Sequence, residues 1–220
     1  MFQKVSATTI FSGVESSLSD SGKLFESVVV RREKLIKESR EVIALSAKSI
    51  VSIHNSKFTE AKELQKLASQ KLEDLRKVAV SDLLRYILPS EVELVECSIV
   101  LALSTNSDLP SREQLGVEPA SYILGLLDSI GEMKRLVLDT IRKGDFENAQ
   151  RTFEIMERLY LLLAPFSVYD HVVGGSKRKL DVARILIEDV RGTVTEESRR
   201  RELIRSVEQL SYKLSGDKNR

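Results

Sequence analysis

Two pairs of acidic residues have the spacing of side chains that act together. Glu93 and Glu96 are three residues apart, and Asp128 and Glu132 are four apart. In a helix the two members of each pair share one face. Neighbouring carboxylates on an isolated helix repel each other by about 0.2–0.5 kcal/mol, so a helix that accepts this cost could be holding a cation. Oxygen ligands of this kind suit Mg²⁺ or Mn²⁺.

The second pair lies in SYILGLLDSIGEMKR (residues 121–135), which has an apolar stripe at helical spacing and the acids on a different face. A structural explanation competes with a metal site here, because Glu132 could pair with Arg135 while Asp128 is solvated. If the two acid-bearing helices are neighbours, four carboxylates converge. An ion held there would lower the pKa of a water ligand and stabilise charge on a phosphoryl group.

The first pair lies in EVELVECSIVLAL (residues 91–103), which is apolar at nearly every position and predicts a helix packed on most sides. Glu93 could be the capping-box partner of Ser90. No such explanation applies to Glu96, which lies beside Cys97 among valine and isoleucine. Burying an unpaired carboxylate is costly unless it is neutralised, hydrogen-bonded or bound to a metal.

The apolar periodicity and the breakers predict an all-α fold, a seven-helix bundle subunit in a single domain over residues 1–220. Residues 1–20 are expected to be a loose lead-in or a short helix, and residues 215–220 a frayed tail. Gly192 is expected to cap the sixth helix in the left-handed conformation, with Thr195 as the N-cap of the seventh. The predicted helices cover residues 24–54, 58–88, 91–104, 119–142, 146–163, 177–191 and 195–214.

Composition excludes several classes of function. The formal net charge of +1 excludes a strongly basic nucleic-acid-binding arm but allows a local basic lining. A single cysteine excludes an internal disulfide and a cysteine zinc site, and with two histidines we expect neither a histidine-rich metal site nor a histidine-dependent triad. No signal-peptide pattern or membrane-length apolar run is present, so we expect a cytoplasmic protein with no membrane partner.

Runs of basic residues are candidates for contacts with phosphate groups. Such runs are commonly solvated helix faces, but if they converge on one cavity they would bind a phosphate backbone without reading bases. The candidates for nucleic-acid binding are Arg31, Arg32, Lys37 and Arg40 in the first helix and Lys177 and Arg178 at the start of the sixth.

Four segments resemble the translin / translin-associated factor X (TRAX) family, and they match best on its TRAX side. Their order and spacing, over about residues 25–210, make the match specific. The segments are RREKLIKESREVIALSAKSIVSIHN (31–55), PSEVELVE (89–96), the stretch 122–135 with its Tyr-x-Leu-Gly lead, and KRKLDVARILIEDVRG (177–192).

This resemblance implies a subunit of a hollow octamer that binds single-stranded RNA or DNA and has Mg²⁺-dependent endoribonuclease activity. TRAX-type subunits carry the acids that translin-type subunits largely lack, which implies metal-binding and catalytic roles for Glu93, Glu96, Asp128 and Glu132. The chain is shorter than animal TRAX and has no obvious nuclear-localisation run at its start. A homo-octamer is therefore the simpler expectation, and a mixed assembly with a translin-type partner is the alternative.

The first hypothesis is a Mg²⁺- or Mn²⁺-dependent endoribonuclease that acts on single-stranded RNA inside an oligomeric shell. The second is a non-catalytic scaffold that binds RNA or DNA, motivated by the basic faces. The third is a helical interaction adaptor whose charged stripes are only solvated.

Overall fold

The computed structural model describes residues 7–217, and these contain helices and connections but no strand, which confirms the all-α prediction. None of the described helices is long and apolar enough to cross a membrane. The seven α-helices of this part of the chain are α1 (Ala7–His54), α2 (Phe58–Val78), α3 (Leu88–Ser104), α4 (Arg112–Leu115), α5 (Pro119–Arg142), α6 (Phe146–Leu163) and α7 (Ser176–Asp217). Two 3-10 helices, Ser81–Tyr86 and Ala164–Tyr169, connect them.

Helix α5 is the centre of the bundle, because α3, α6 and α7 all pack against it, while α1 packs on α2 and α3. Its apolar residues recur every three or four positions, as in Leu126, Ile130, Met133 and Val137, and all four are buried. The buried stripe fixes the rotation of α5 about its axis. It therefore fixes where the acids on its other face point.

Gly125 allows α5 to approach α3 very closely. A Cβ atom at this position would lie 2.5 Å from Val95 Cβ and 2.7 Å from the carbonyl oxygen of Val92, distances that real side chains do not reach. Only glycine fits without moving the backbone. This contact places the helix that carries one acid pair directly against the helix that carries the other.

A buried ion pair joins α2, α3 and the start of α5. Glu91 is completely buried, and Arg76 Nε of α2 donates to its Oε1 atom at 3.1 Å. The other oxygen, Oε2, accepts the backbone N–H of Glu118 at 3.0 Å. Because both carboxylate oxygens of Glu91 accept hydrogen bonds, the cost of burying its charge is offset. These hydrogen bonds hold the end of α2 and the starts of α3 and α5 together.

The predicted boundary at Pro89 is wrong in one respect. Helix α2 ends at Val78 instead of near residue 88, and Pro89 lies in the first turn of α3, where its missing N–H is not needed. Ser90 is therefore inside the helix, and its hydroxyl donates to the carbonyl of Ile87 at 2.7 Å. Ser90 is not an N-cap, so the capping-box explanation for Glu93 is also wrong.

The predicted break at Gly192 is wrong as well, since α7 is one continuous helix. Positive φ angles among the described glycines occur at positions 116, 144 and 175 but not at Gly192. The hydroxyl of Thr195 donates to the carbonyl of Arg191 at 2.7 Å, one turn back, instead of capping a new helix. A helix interior tolerates one glycine at a cost of about 1 kcal/mol.

The ends of the chain are more helical than the sequence pattern indicates. Residues 7–20 form the opening turns of α1 and residues 215–217 belong to α7, whereas positions 1–6 and 218–220 lie outside the described residues. We call residues 11–27 the N-terminal arm and residues 202–214 the C-terminal arm, because almost all of their side chains are exposed. The exposed apolar residues of the arms include Phe11, Val14, Leu18, Leu24 and Phe25, and Leu203, Ile204, Val207, Leu210 and Leu214.

Candidate metal and nucleic-acid site

The two acids of α3 are half-buried, and neither has a hydrogen bond or an ion pair with any described residue. Burial raises the pKa of Glu96 to about 8, with further contributions from the negative charges of Glu93, Asp128 and Glu132. Burial and the charge of Asp128 also raise the pKa of Glu93. Because α3 packs directly against α5, the charges of the other three acids act on Glu96, and we refer to the four carboxylates together as the acid cluster.

The first acid of α5 is paired with a lysine from α7. Lys179 Nζ donates to Asp128 Oδ1, and the side chains are 36% and 28% exposed. The N-terminus of α7 is held by Asp170, which accepts the backbone N–H of Lys177 at 2.9 Å, and this hydrogen bond lowers the pKa of Asp170. A capped helix start therefore sets the position from which Lys179 reaches the acid cluster.

The second acid of α5 is bonded to a histidine at the end of α1. His54 Nε2 donates to Glu132 Oε2 at 2.5 Å, and this hydrogen bond lowers the pKa of Glu132. The predicted partner Arg135 is farther away, at 3.8 Å. The His54 side chain is only 4% exposed, and its Nδ1 atom has no hydrogen bond and lies 3.6 Å from Asp139 Oδ2. His54 thus orients the Glu132 carboxylate from a fixed, packed position.

A cavity of about 620 Å³ opens beside His54, but it is separate from the acid cluster. Its lining continues along α5 through Leu136 and Asp139 and includes none of the four acids. The candidate site for chemistry is the half-buried acid cluster of α3 and α5, not this cavity.

The chemistry of the acid cluster fits a divalent cation, although the observed arrangement is not a complete metal site. Among residues 7–217, no group of three or more His, Cys, Asp and Glu side chains is arranged to hold a metal ion. Lys179 and His54 engage the two acids of α5, while the two acids of α3 have no partner. All four donors are carboxylate oxygens, which Mg²⁺ and Mn²⁺ prefer, and their mutual repulsion is what a cation relieves.

Sequence reasoning missed both partners of the α5 acids. In the sequence Lys179 is only the third residue of the basic run Lys177–Arg178–Lys179, and His54 is only one of two histidines, which are too few for a histidine site. No local signal identifies either residue, because the partners are 51 and 78 positions apart. The only available signal was indirect, namely that unpartnered acids on buried helices need cations nearby.

The predicted nucleic-acid-binding residues lie on two different parts of the subunit. Helix α1 packs on α2 and α3, whereas α7 packs on α5 and α6, so the structure does not gather the two sets through packed helices. Apart from the half-buried Arg31, all are exposed. The α1 set is Arg31, Arg32, Lys37 and Arg40, and the α7 set is Lys177 and Arg178.

One of these residues belongs to a cluster that the sequence did not indicate. The guanidinium of Arg32 donates to the Tyr86 hydroxyl at 2.9 Å and lies 5.2 Å from the ring centroid, and Arg85 lies 5.0 Å from the same ring. Neither arginine has a carboxylate partner among the described residues, and their hydrogen bonds lower the pKa of Tyr86. Two uncompensated guanidinium groups beside an aromatic ring are suited to bind phosphate and stack with a base.

Comparisons with known proteins agree with this architecture. A scan of protein families matches residues 87–194 to the Translin family. An uncharacterized protein of Methanocaldococcus jannaschii, MJ0175, is 32% identical over 166 residues, which cover 74% of each chain.

Solved structures named AfC3PO and NeC3PO are also similar. The crystal structure of AfC3PO is 32% identical, with a TM-score of 0.78 over 84% of this chain and 98% of that chain. The AfC3PO–duplex RNA complex is 31% identical, with a TM-score of 0.77 and the same coverage. The crystal structure of apo-NeC3PO is 20% identical, with a TM-score of 0.72 over 81% of this chain and 95% of that chain. At this identity the similarity shows a common fold and nothing further.

Proposed function

Because the chain belongs to the translin family, we propose that it is a Mg²⁺-dependent endoribonuclease that binds RNA within an oligomeric shell. The acid cluster is the observation that carries the catalytic part of this proposal. The RNA-binding part is supported by AfC3PO, whose structure has been solved with duplex RNA. The match to this chain covers 98% of the AfC3PO chain. Since the sequence resemblance implies single strands, both single-stranded and duplex RNA are appropriate substrates for a test.

Glu93, Glu96, Asp128 and Glu132 would hold the divalent ion. The bound ion would supply positive charge to the phosphoryl group and polarise water for attack on phosphorus. Glu96 has a pKa of about 8 and keeps its proton near neutral pH in the ion-free protein, so it would release that proton when the cation binds. His54 holds the Glu132 carboxylate in one orientation through its Nε2–H group.

Basic residues of α7 beside the acid cluster, and a second basic group on α1, would hold the RNA backbone. Lys177 and Arg178 are exposed residues in the same turn of α7 as Lys179, which contacts Asp128. The Arg32–Tyr86–Arg85 cluster would add a phosphate and stacking contact away from the acids. This mode of binding is dominated by charge, and RNA affinity should fall steeply as the salt concentration rises.

The two arms supply surface for self-association. Their exposed apolar residues have no cover within the described subunit, and surfaces of this kind mark contacts with other protein chains. A homo-octamer remains our proposal, with a mixed assembly that includes a translin-type subunit as the alternative. Native mass spectrometry measures the subunit number directly, and a stable 24.8 kDa monomer at working concentration would contradict an enclosed chamber.

The decisive experiment compares Glu96→Gln and Asp128→Asn with the wild type in a cleavage assay on labelled RNA with Mg²⁺ or Mn²⁺. We expect both variants to lose cleavage and to keep RNA binding. Glu147→Gln is the matched control, because Glu147 is an exposed acid of α6 outside the acid cluster. Full cleavage by both site variants, or cleavage by the wild type that EDTA does not reduce, would reject the proposal.

A non-catalytic RNA-binding scaffold is the second candidate. The observation in its favour is that Lys179 and His54 already satisfy the two acids of α5, as in a purely structural network. This alternative predicts salt-sensitive RNA binding without metal-dependent cleavage of either substrate.

A further inference from the structure

One ammonium group acts on three of the four acids. Lys179 Nζ contacts Asp128 Oδ1 directly. Its charge also lowers the pKa of Glu93 and of Glu96, against the effect of burial. The contact with Asp128 therefore puts the ammonium at a carboxylate oxygen that a bound cation would use.

From this geometry we propose that Lys179 is the built-in counter-ion of the ion-free acid cluster, and that a divalent cation must displace it from Asp128 to bind. This inference rests on the proposed metal-dependent function. An ammonium and a divalent cation at the same carboxylate oxygen repel each other, so binding of the cation competes with the contact between Lys179 and Asp128 Oδ1.

The two partners of the α5 acids differ in their freedom to move. The Lys179 side chain is 36% exposed on a flexible four-carbon stem, and a rotation of that stem releases Asp128 without a backbone change. The His54 side chain is 4% exposed and packed at the end of α1. Ion binding should therefore break the contact between Lys179 and Asp128, while the hydrogen bond between His54 and Glu132 persists.

The first test is a Mn²⁺ titration followed by electron paramagnetic resonance, on wild type, Lys179→Met and Lys177→Met. Methionine keeps the length of the stem and removes the charge. We expect Lys179→Met to bind Mn²⁺ about three- to fivefold more tightly than wild type, because one competing ion pair is gone. Lys177→Met removes the same net charge from an exposed position of the same turn and should stay within about twofold.

The outcomes separate this inference from the proposed function. Unchanged or weaker Mn²⁺ binding by Lys179→Met overturns the inference, even if the wild type cleaves RNA. Tighter binding by Lys179→Met supports it, even if no RNA is cleaved. Absence of Mn²⁺ binding in both proteins overturns the inference and removes the metal from the proposed function.

A second test uses the wild-type chain and does not depend on a variant. Limited acetylation followed by peptide mass spectrometry reports how accessible each lysine amine is. We expect saturating Mg²⁺ to increase modification of Lys179 several-fold and to leave Lys177 unchanged. The Asp128→Asn variant should show the increased Lys179 modification without Mg²⁺. Equal modification with and without Mg²⁺ would overturn the inference.

Discussion

Replacing Gly125 by alanine tests whether the close contact of α3 and α5 holds the acid cluster together. The new methyl group would lie 2.5 Å from Val95 Cβ and 2.7 Å from the Val92 carbonyl oxygen. Neither neighbour is the far end of a flexible chain, so the two helices must separate or the backbone must bend. Gly131→Ala is the matched control, because Gly131 lies in the same helix with nothing within 4 Å of its added Cβ.

The magnitude follows from two opposing effects. Alanine in place of glycine stabilises a helix interior by about 0.5–1 kcal/mol, and both variants gain this. Overpacking costs about 1–3 kcal/mol, and only Gly125→Ala pays it. We therefore expect Gly131→Ala to be slightly more stable than wild type, and Gly125→Ala to be about 1–3 kcal/mol less stable than Gly131→Ala. For a chain of this size that difference corresponds to roughly 2–12 °C in Tm.

The assay is urea unfolding followed by circular dichroism, with thermal melts as a second measurement. All proteins must be compared at the same concentration, because subunit association makes the apparent stability depend on it. Mn²⁺ affinity should also fall in Gly125→Ala, since separating the helices moves the two acid pairs apart. Equal stability of the two alanine variants would refute the reasoning, because it would mean that the close contact is not rigid.

Three further predictions follow from the same geometry. Arg76→Met leaves the charge of Glu91 buried without its cation and should cost about 3–5 kcal/mol in urea unfolding, so a loss within about 0.5 kcal/mol would contradict a buried ion pair. The pKa of Glu96 is raised by folding, so its protonated form stabilises the native state below pH 4.5 and this contribution is lost as the pH rises towards 8. In EDTA, Glu96→Gln should therefore match wild type near pH 4.5 and be more stable at pH 8.5, and a difference that is constant with pH would argue against the shift. His54→Ala should weaken Mn²⁺ binding about 10–100-fold, whereas His171→Ala at an exposed position should not, and equal affinities would exclude a positioning role for His54.

Sequence patterns predicted helices well where breakers and apolar stripes coincide. Helix α6 begins at Phe146 after Asp145, whose carboxylate accepts the backbone N–H of Asn148, and it ends at Leu163 before a proline, as expected. At Gly192 the same local signals failed, because Val190 and Val194 are buried on either side of the glycine, and this packing outweighs its low helix propensity. Boundary signals are local, whereas helix continuity depends on tertiary contacts.

Part of the candidate site could be read from spacing, and part could not. Helical periodicity puts Glu93 and Glu96 on one face, and the apolar neighbours of Glu96 indicate the burial that raises its pKa to about 8. Among the side chains that the structure describes, the completely buried acid is Glu91, which spacing did not single out, and its partner Arg76 comes from α2. Pairings between separate helices depend on packing, which a single sequence does not encode in any local pattern.

The arms described above have a consequence for how this subunit meets its neighbours. In the N-terminal arm, exposed apolar residues at 11, 14, 18 and 25 are separated by three, four and seven positions, and in the C-terminal arm those at 203, 207, 210 and 214 by four, three and four. The average step is 3.5 in the N-terminal arm and about 3.7 in the C-terminal arm, so in each arm these residues form an apolar stripe along one side of the helix that suits packing against a second helix. Each arm extends over about two heptads, or roughly 21 Å. Each arm therefore offers an apolar helix face for packing against another subunit. Removing the two arms would remove both contact surfaces and leave every carboxylate of the acid cluster in place.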